Sequence, residues 1–139
     1  MEKKNIDWSN LGFSYMKTDY RYVSNFKDGA WDEGGLIQDD MVVISECAGV
    51  LQYAQTVFEG LKAYTTEDGH IVIFRPDLNG ERMEQSAARL EMPVFPADRF
   101  VEAVAETVKA NAAYVPPYGS GATLYIRPYM FGSNPVIGV

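Results

Sequence analysis

The sequence holds one cysteine and one histidine in 139 residues. Cys47 alone cannot close an internal disulfide, so a disulfide framework is excluded. The lone histidine, His70, has no Cys, His or carboxylate at metal-ligand spacing around it, and no metal site is expected. The same scarcity removes thiol catalysis, because nothing orients His70 toward Cys47. Positive charge is also short. Twelve Lys and Arg stand against 19 Asp and Glu, for a net charge of −7, which argues against nucleic acid and against an anionic membrane surface as partners. No apolar run approaches the roughly 20 residues needed to cross a bilayer, since Met41 to Ile44 is closed off by Ser45 and Glu46. The opening Met1-Glu2-Lys3-Lys4-Asn5 lacks the apolar stretch of a secretory signal, and the cytoplasm is the expected compartment. Gly119-Ser120-Gly121 lacks a following Lys-Ser or Lys-Thr, which excludes a nucleotide P-loop there.

What remains is an ordinary globular composition, 47 % hydrophobic and 22 % charged, with no repeat, low-complexity tract or long linker, and so one domain. Aromatics make up 13 % and include nine tyrosines, which suits a pocket or an interface. Tyr20 to Asn25 is aromatic and β-branched enough for a strand, Lys27-Asp28-Gly29 reads as a turn, and Met41 to Ser45 is a second short strand candidate. Ala48 to Gln55 reads as a short helical turn or an irregular loop. Gly60 to Thr66 and His70 to Phe74 flank Glu67-Asp68-Gly69, whose Asp-Gly pair supplies the positive φ angles of a tight hairpin.

Pro76 can open a helix where its missing N–H is not needed, and Leu78, Met83, Ala87 and Leu90 then share one face of a helix from about Pro76 to Leu90. Pro93 and Pro96 break it. Phe100, Val104 and Val108, four apart, mark a second amphipathic helix over Ala97 to Asn111. After the Pro116 to Gly121 loop, Ala122 to Arg127 alternates as a strand, and Gly132 to Val139 is loop-like. The class is α+β, a mostly antiparallel sheet with two amphipathic helices.

Some residues are candidates for chemistry by position. Arg75 lies between a strand and a proline-started helix, from where a guanidinium can grip a phosphate through paired N–H donors; alone, it could equally serve a structural ion pair. Tyr125 and Arg127 are two apart on a strand, so their side chains share a face and can converge on one ligand. Gly60 is explained by the turn into the hairpin, and Lys62 by solvation.

Four segments, in order and spacing, resemble the branched-chain amino acid aminotransferase family of fold type IV pyridoxal-phosphate enzymes. They are Tyr53 to Tyr64, Phe74 to Asn79 with Arg82-Met83, Ser86 to Pro93, and Tyr125 to Pro128. The resemblance implies a two-domain homodimer that moves an amino group between leucine, isoleucine or valine and 2-oxoglutarate with pyridoxal 5'-phosphate as cofactor. It implies that Arg75 binds the cofactor phosphate, and that Tyr125 and Arg127 arrange the substrate's carboxylate end. Phe58, Tyr53 and Phe13 then line the pocket for the aliphatic side chain. Residues 1–131 are expected to form the small N-terminal domain and residues 132–139 to begin the interdomain loop, whose Ile137 and Val139 reach the neighbouring subunit's pocket.

By the same resemblance, the lysine that joins the cofactor covalently belongs to a second, larger domain. The chain is therefore expected to be a fragment, from proteolysis or deliberate truncation, that is inactive alone and has no catalytic residue of its own. Two rival readings are another fold type IV enzyme, such as a D-amino-acid aminotransferase or aminodeoxychorismate lyase, and a non-catalytic binding or dimerisation module.

Overall fold

The computed structural model describes residues 1–136. Nine short strands, all paired antiparallel, and three α-helices follow one another as β1 (Arg21–Val23), β2 (Phe26–Lys27), β3 (Ala30–Trp31), β4 (Gly35–Ile37), α1 (Gly49–Tyr53), β5 (Thr56–Phe58), β6 (Leu61–Thr65), β7 (Ile71–Ile73), α2 (Pro76–Arg89), α3 (Ala97–Ala110), β8 (Leu124–Ile126) and β9 (Tyr129–Phe131). The α+β class holds, with one change: the strands form four small sheets, β1-β4, β2-β3, β5-β9 and β7-β6-β8.

The hairpin β6-β7 is where the sequence places it, with Ala63 opposite Ile73 and Thr65 opposite Ile71. Its turn is looser than expected. Gly69 alone takes a positive φ, +87°, and Thr66 closes the loop by accepting from the His70 N–H at 3.1 Å. The tight Asp-Gly turn is the earlier one, where Asp28 and Gly29 both have positive φ, 53° and 82°, matching the twist of β2 and β3. Met41 to Ser45 forms no strand. Its β-branched residues find no neighbour to pair with, and Val43 is almost fully exposed, which shows that β propensity needs a packed face to act.

Helix α2 starts at Pro76 as expected and α3 spans the expected second helix. On α2, Met83 and Ala87 are buried while Leu78 and Leu90 remain 48 % and 46 % exposed. The buried face is completed instead by Gly80, where an added Cβ would stand 3.1 Å from the Ala97 backbone. The helices therefore touch almost backbone to backbone at the start of α3. One cluster, Val57, Leu61, Ala63, Met83, Ala87, Met92, Phe100, Val104, Val108 and Val115, is the core. Burial of such side chains contributes about 1.5–3 kcal/mol each. The alternation along β5 and β6 puts Val57, Leu61 and Ala63 into that core and turns Phe58, Lys62 and Tyr64 outward.

Candidate functional site

The outward face of β5, β6 and β8 is unusually aromatic. On β8, Leu124 and Ile126 pack against the core, so Tyr125 and the following Arg127 point the other way. The Arg127 guanidinium lies 5.2 Å from the centre of the Tyr125 ring and 5.6 Å from that of Phe58. Phe13, otherwise 97 % exposed, reaches the other side of Tyr125 at a centroid distance of 6.4 Å. Four residues expected to handle substrate thus meet on one surface. Among the described residues Arg127 has no carboxylate partner, and its charge is held against ring faces.

Gly60, read from sequence as a turn residue only, has a second role here. A Cβ on it would stand 2.6 Å from the Tyr125 hydroxyl, so the absent side chain is what lets the phenol lie over the bend between β5 and β6. Periodicity gave no hint of this, because the contact joins residues far apart in the chain. Beside the bend is a shallow depression of about 340 Å³ lined by Gly60, Leu61, Lys62, Tyr64, Phe74, Asn79 and Tyr125.

Arg75 follows that lining residue Phe74 and precedes α2, with φ +45°, a left-handed conformation rare for a residue with a Cβ. The turn it makes sends the chain from β7 into the helix. Its Nε and Nη2 donate to the two carboxylate oxygens of Asp77 at 3.0 and 2.8 Å. Both side chains are about half exposed. Asp77 raises the basicity of Arg75 further by hydrogen bonding and charge, and Arg75 in turn holds the Asp77 carboxyl below the usual carboxylate range. The ion pair weighed from sequence is therefore real, and it is local and solvent-facing.

A residue that sequence reasoning passed over is Glu59, which is 3 % exposed. Arg82 Nε donates to its Oε1 at 2.7 Å and Arg82 Nη2 to its Oε2 at 2.6 Å, while Asn79 Nδ2 donates to Oε2 at 2.9 Å. Hydrogen bonds from Arg82, then Asn79, outweigh burial and keep the carboxyl below its ordinary range. Its own N–H donates to Pro128 O at 2.8 Å, which ties the bend to the β8-β9 turn. A signal was present: a glutamate between the outward Phe58 and the turn glycine has nowhere polar to go except a neighbouring element.

Tyr53 sits apart from these residues on α1, with its side chain largely in solvent. Gly49 and Val50 at the start of α1 donate to Asn134 O and Gly132 O, both at 3.0 Å, so α1 is fastened to the segment after β9. Ile137 and Val139 lie outside the described residues. His70 pairs with Asp68 at 2.8 Å in the exposed hairpin turn, and among the described residues no cluster of three or more His, Cys, Asp or Glu could hold a metal. No helix among them is long and apolar enough to cross a membrane.

A proline-started helix entered through an arginine, set beside an outward Tyr-x-Arg strand on an α+β scaffold, defines the small domain of a fold type IV aminotransferase. Solved structures share that scaffold. A bacterial branched-chain amino acid aminotransferase, that of T.th., complexed with N-(5'-phosphopyridoxyl)-L-glutamate, superimposes with a TM-score of 0.66 at 28 % identity over 89 % of this chain and 36 % of that one. The enzyme from Thermoproteus uzoniensis with norvaline gives 0.60 at 28 % identity over 85 % of this chain and 36 % of that one.

In sequence and in fold, then, the chain corresponds to the N-terminal part of branched-chain aminotransferases. It is 54 % identical to a branched-chain-amino-acid aminotransferase of Haemophilus influenzae over 98 % of its own length, and 45 % identical to one of Helicobacter pylori over the same share. A methionine aminotransferase of Arabidopsis thaliana is 47 % identical over 96 % of the chain. The chain spans about 40 % of the length of the first two relatives and 38 % of the third. No protein-family model matches it.

Proposed function

We propose that this chain is the small domain of a pyridoxal-phosphate-dependent aminotransferase that moves the amino group of leucine, isoleucine or valine to 2-oxoglutarate. The observation that carries the reading is the convergence of Phe13, Phe58, Tyr125 and Arg127 on one outward face, beside the depression that Phe74 lines next to Arg75.

The donor set fits the cofactor. The Arg75 fork already accommodates two anionic oxygens at 3.0 and 2.8 Å, those of Asp77, and a phosphate presents oxygens of the same kind to the same pair of N–H donors. When bound, pyridoxal phosphate supplies the electron sink that loosens the proton on the amino acid's Cα. The residues of this chain do the rest of the positioning. Arg75 anchors the phosphate end, and Arg127, steadied by two rings, offers an unpaired charge to the substrate carboxylate with the Tyr125 hydroxyl beside it. Phe58 and Phe13 give the aliphatic side chain an apolar wall that excludes water without demanding direction.

The proton-carrying lysine is assigned to a second domain of the full-length protein, residues 1–131 to the small domain, and residues 132–139 to the segment leading between them. Assembly as a cytoplasmic homodimer rests on the family resemblance, together with the exposed apolar side chains Phe13, Val43 and Phe74, which leave surface for a partner to cover.

The test is amino transfer by the full-length protein, with leucine, isoleucine, valine, methionine and D-alanine as donors and 2-oxoglutarate as acceptor. Transfer from the three branched amino acids is expected, and Arg75→Lys is expected to lose at least about tenfold in cofactor affinity, because a point charge cannot reproduce the planar fork. Preference for D-alanine assigns the chain to another fold type IV activity. No transfer from any donor, with cofactor present, leaves the binding-module reading in its place.

A further inference from the structure

We infer that Glu59 is a positioning residue for the cofactor grip, acting through Asn79 and Arg82 on the helix that Arg75 enters. The inference rests on the proposed cofactor role of Arg75. The two halves of the candidate site lie on separate elements. Tyr125, Arg127, Phe58 and Gly60 belong to the sheet face, whereas Arg75 precedes α2. Something must fix α2 against the sheet to within a fraction of an ångström if one ligand is to be held by both.

The apolar core holds the far side of α2 through Met83 and Ala87. On the near side, Glu59 is the polar link. Its carboxylate accepts from Asn79, in the first turn of α2, at 2.9 Å, and from Arg82, one turn on, at 2.7 and 2.6 Å. Asn79 Nδ2 also reaches Gly60 O at 3.4 Å, and both residues line the depression between Phe74 and Tyr125. The Glu59 backbone N–H is meanwhile tied to Pro128, next to Arg127. One buried residue thus joins the strand that carries Tyr125 and Arg127 to the helix start that carries Arg75. It is itself 3 % exposed and out of reach of a ligand on the surface. A carboxylate whose oxygens are both engaged by one helix face resists sliding and rotation of that helix, which apolar contacts alone restrain weakly.

Titration of the full-length apoprotein with pyridoxal phosphate, followed by absorbance, tests this in four variants: Arg75→Ala, Glu59→Gln, Asn79→Ala, and Glu59→Gln with Arg75→Ala. Glu59→Gln and Asn79→Ala are each expected to raise the Kd about tenfold, the low end of what is lost when a group that orients a ligand-binding side chain is removed. In the Arg75→Ala background, Glu59→Gln should add nothing further, because Glu59 acts through Arg75. The phosphorus-31 resonance of the bound phosphate should shift in Glu59→Gln. A merely structural Glu59 would lower the denaturation midpoint, leave Kd and resonance unchanged, and overturn the inference, as would additive losses in the double variant. If Glu59→Gln does not fold, Asn79→Ala decides by its Kd alone, because it keeps the Arg82 pair. An unchanged Kd in Arg75→Ala would instead sink the phosphate role of Arg75, and with it both readings.

Discussion

Replacing Glu59 by Gln leaves Arg82 and Asn79 sharing one neutral oxygen in place of a carboxylate they now fully engage. Arg82 is 65 % exposed and can turn to water, so the loss falls toward the lower end for hydrogen bonds to charged groups, about 2 kcal/mol. The pH dependence has a definite sign. The folded carboxyl titrates below its unfolded value, so its contribution is full above about pH 4.3 and is lost as pH falls through the depressed folded value. Urea unfolding of the full-length protein at pH 7 and pH 3.5 should therefore show wild type ahead of Glu59→Gln at the higher pH and nearly level with it at the lower. An equal gap at both would mean that the carboxylate charge contributes nothing. The exposed Asp32, Asp39 and Asp77 are also held below their ordinary values, but they are common to both proteins and cancel in the difference.

Between elements, the closest approach is that of α2 to α3 at Gly80. A glycine inside a helix costs about 1 kcal/mol relative to alanine, and here that cost is offset by letting the Ala97 backbone come close enough for Glu84 to accept from the Ala97 N–H at 2.7 Å. That bond serves as the side-chain cap α3 otherwise lacks, since its preceding residue is Pro96. Gly80→Val should destabilise by about 2–3 kcal/mol, because a Cβ already 3.1 Å from backbone atoms cannot be accommodated by a side-chain rotation. Thermal melts of the full-length protein would show it, and a melting temperature unchanged by the substitution would mean that α3 is free to move away. The expectation that Leu78 and Leu90 complete the buried face of α2 failed for the same reason: the contact is made by the smallest residue, and hydropathy patterns count only large ones.

For the molecule as a whole, the feature to explain is a run of aromatic side chains left on one side of the sheets. Phe74 is 83 % exposed and Phe58 63 %, although apolar burial is the main driving force of folding. Binding of pyridoxal phosphate and substrate at this face should reduce that exposure. Hydroxyl-radical footprinting of the full-length protein, with and without pyridoxal phosphate and leucine, is expected to show protection at Phe58, Phe74 and Tyr125. Tyr118, which is exposed in the loop before β8, should not change. Uniform protection, or none, would place the ligand elsewhere.

The sequence by itself determined the elements whose signals are local: the β6-β7 hairpin, α2 behind its proline, α3 with Phe100, Val104 and Val108, and the shared face of Tyr125 and Arg127. It also carried the family resemblance, which composition alone does not imply. The short strands β4, β5 and β9 were not legible, because two or three residues cannot display a period and exist as strands only through their partners. Tertiary structure alone decided that Met41 to Ser45 stays unpaired, that Gly60 makes room for Tyr125, and that Glu59 joins two segments far apart in sequence. Each of these depends on a distance between residues remote along the chain, and such distances are fixed by packing rather than by local preference.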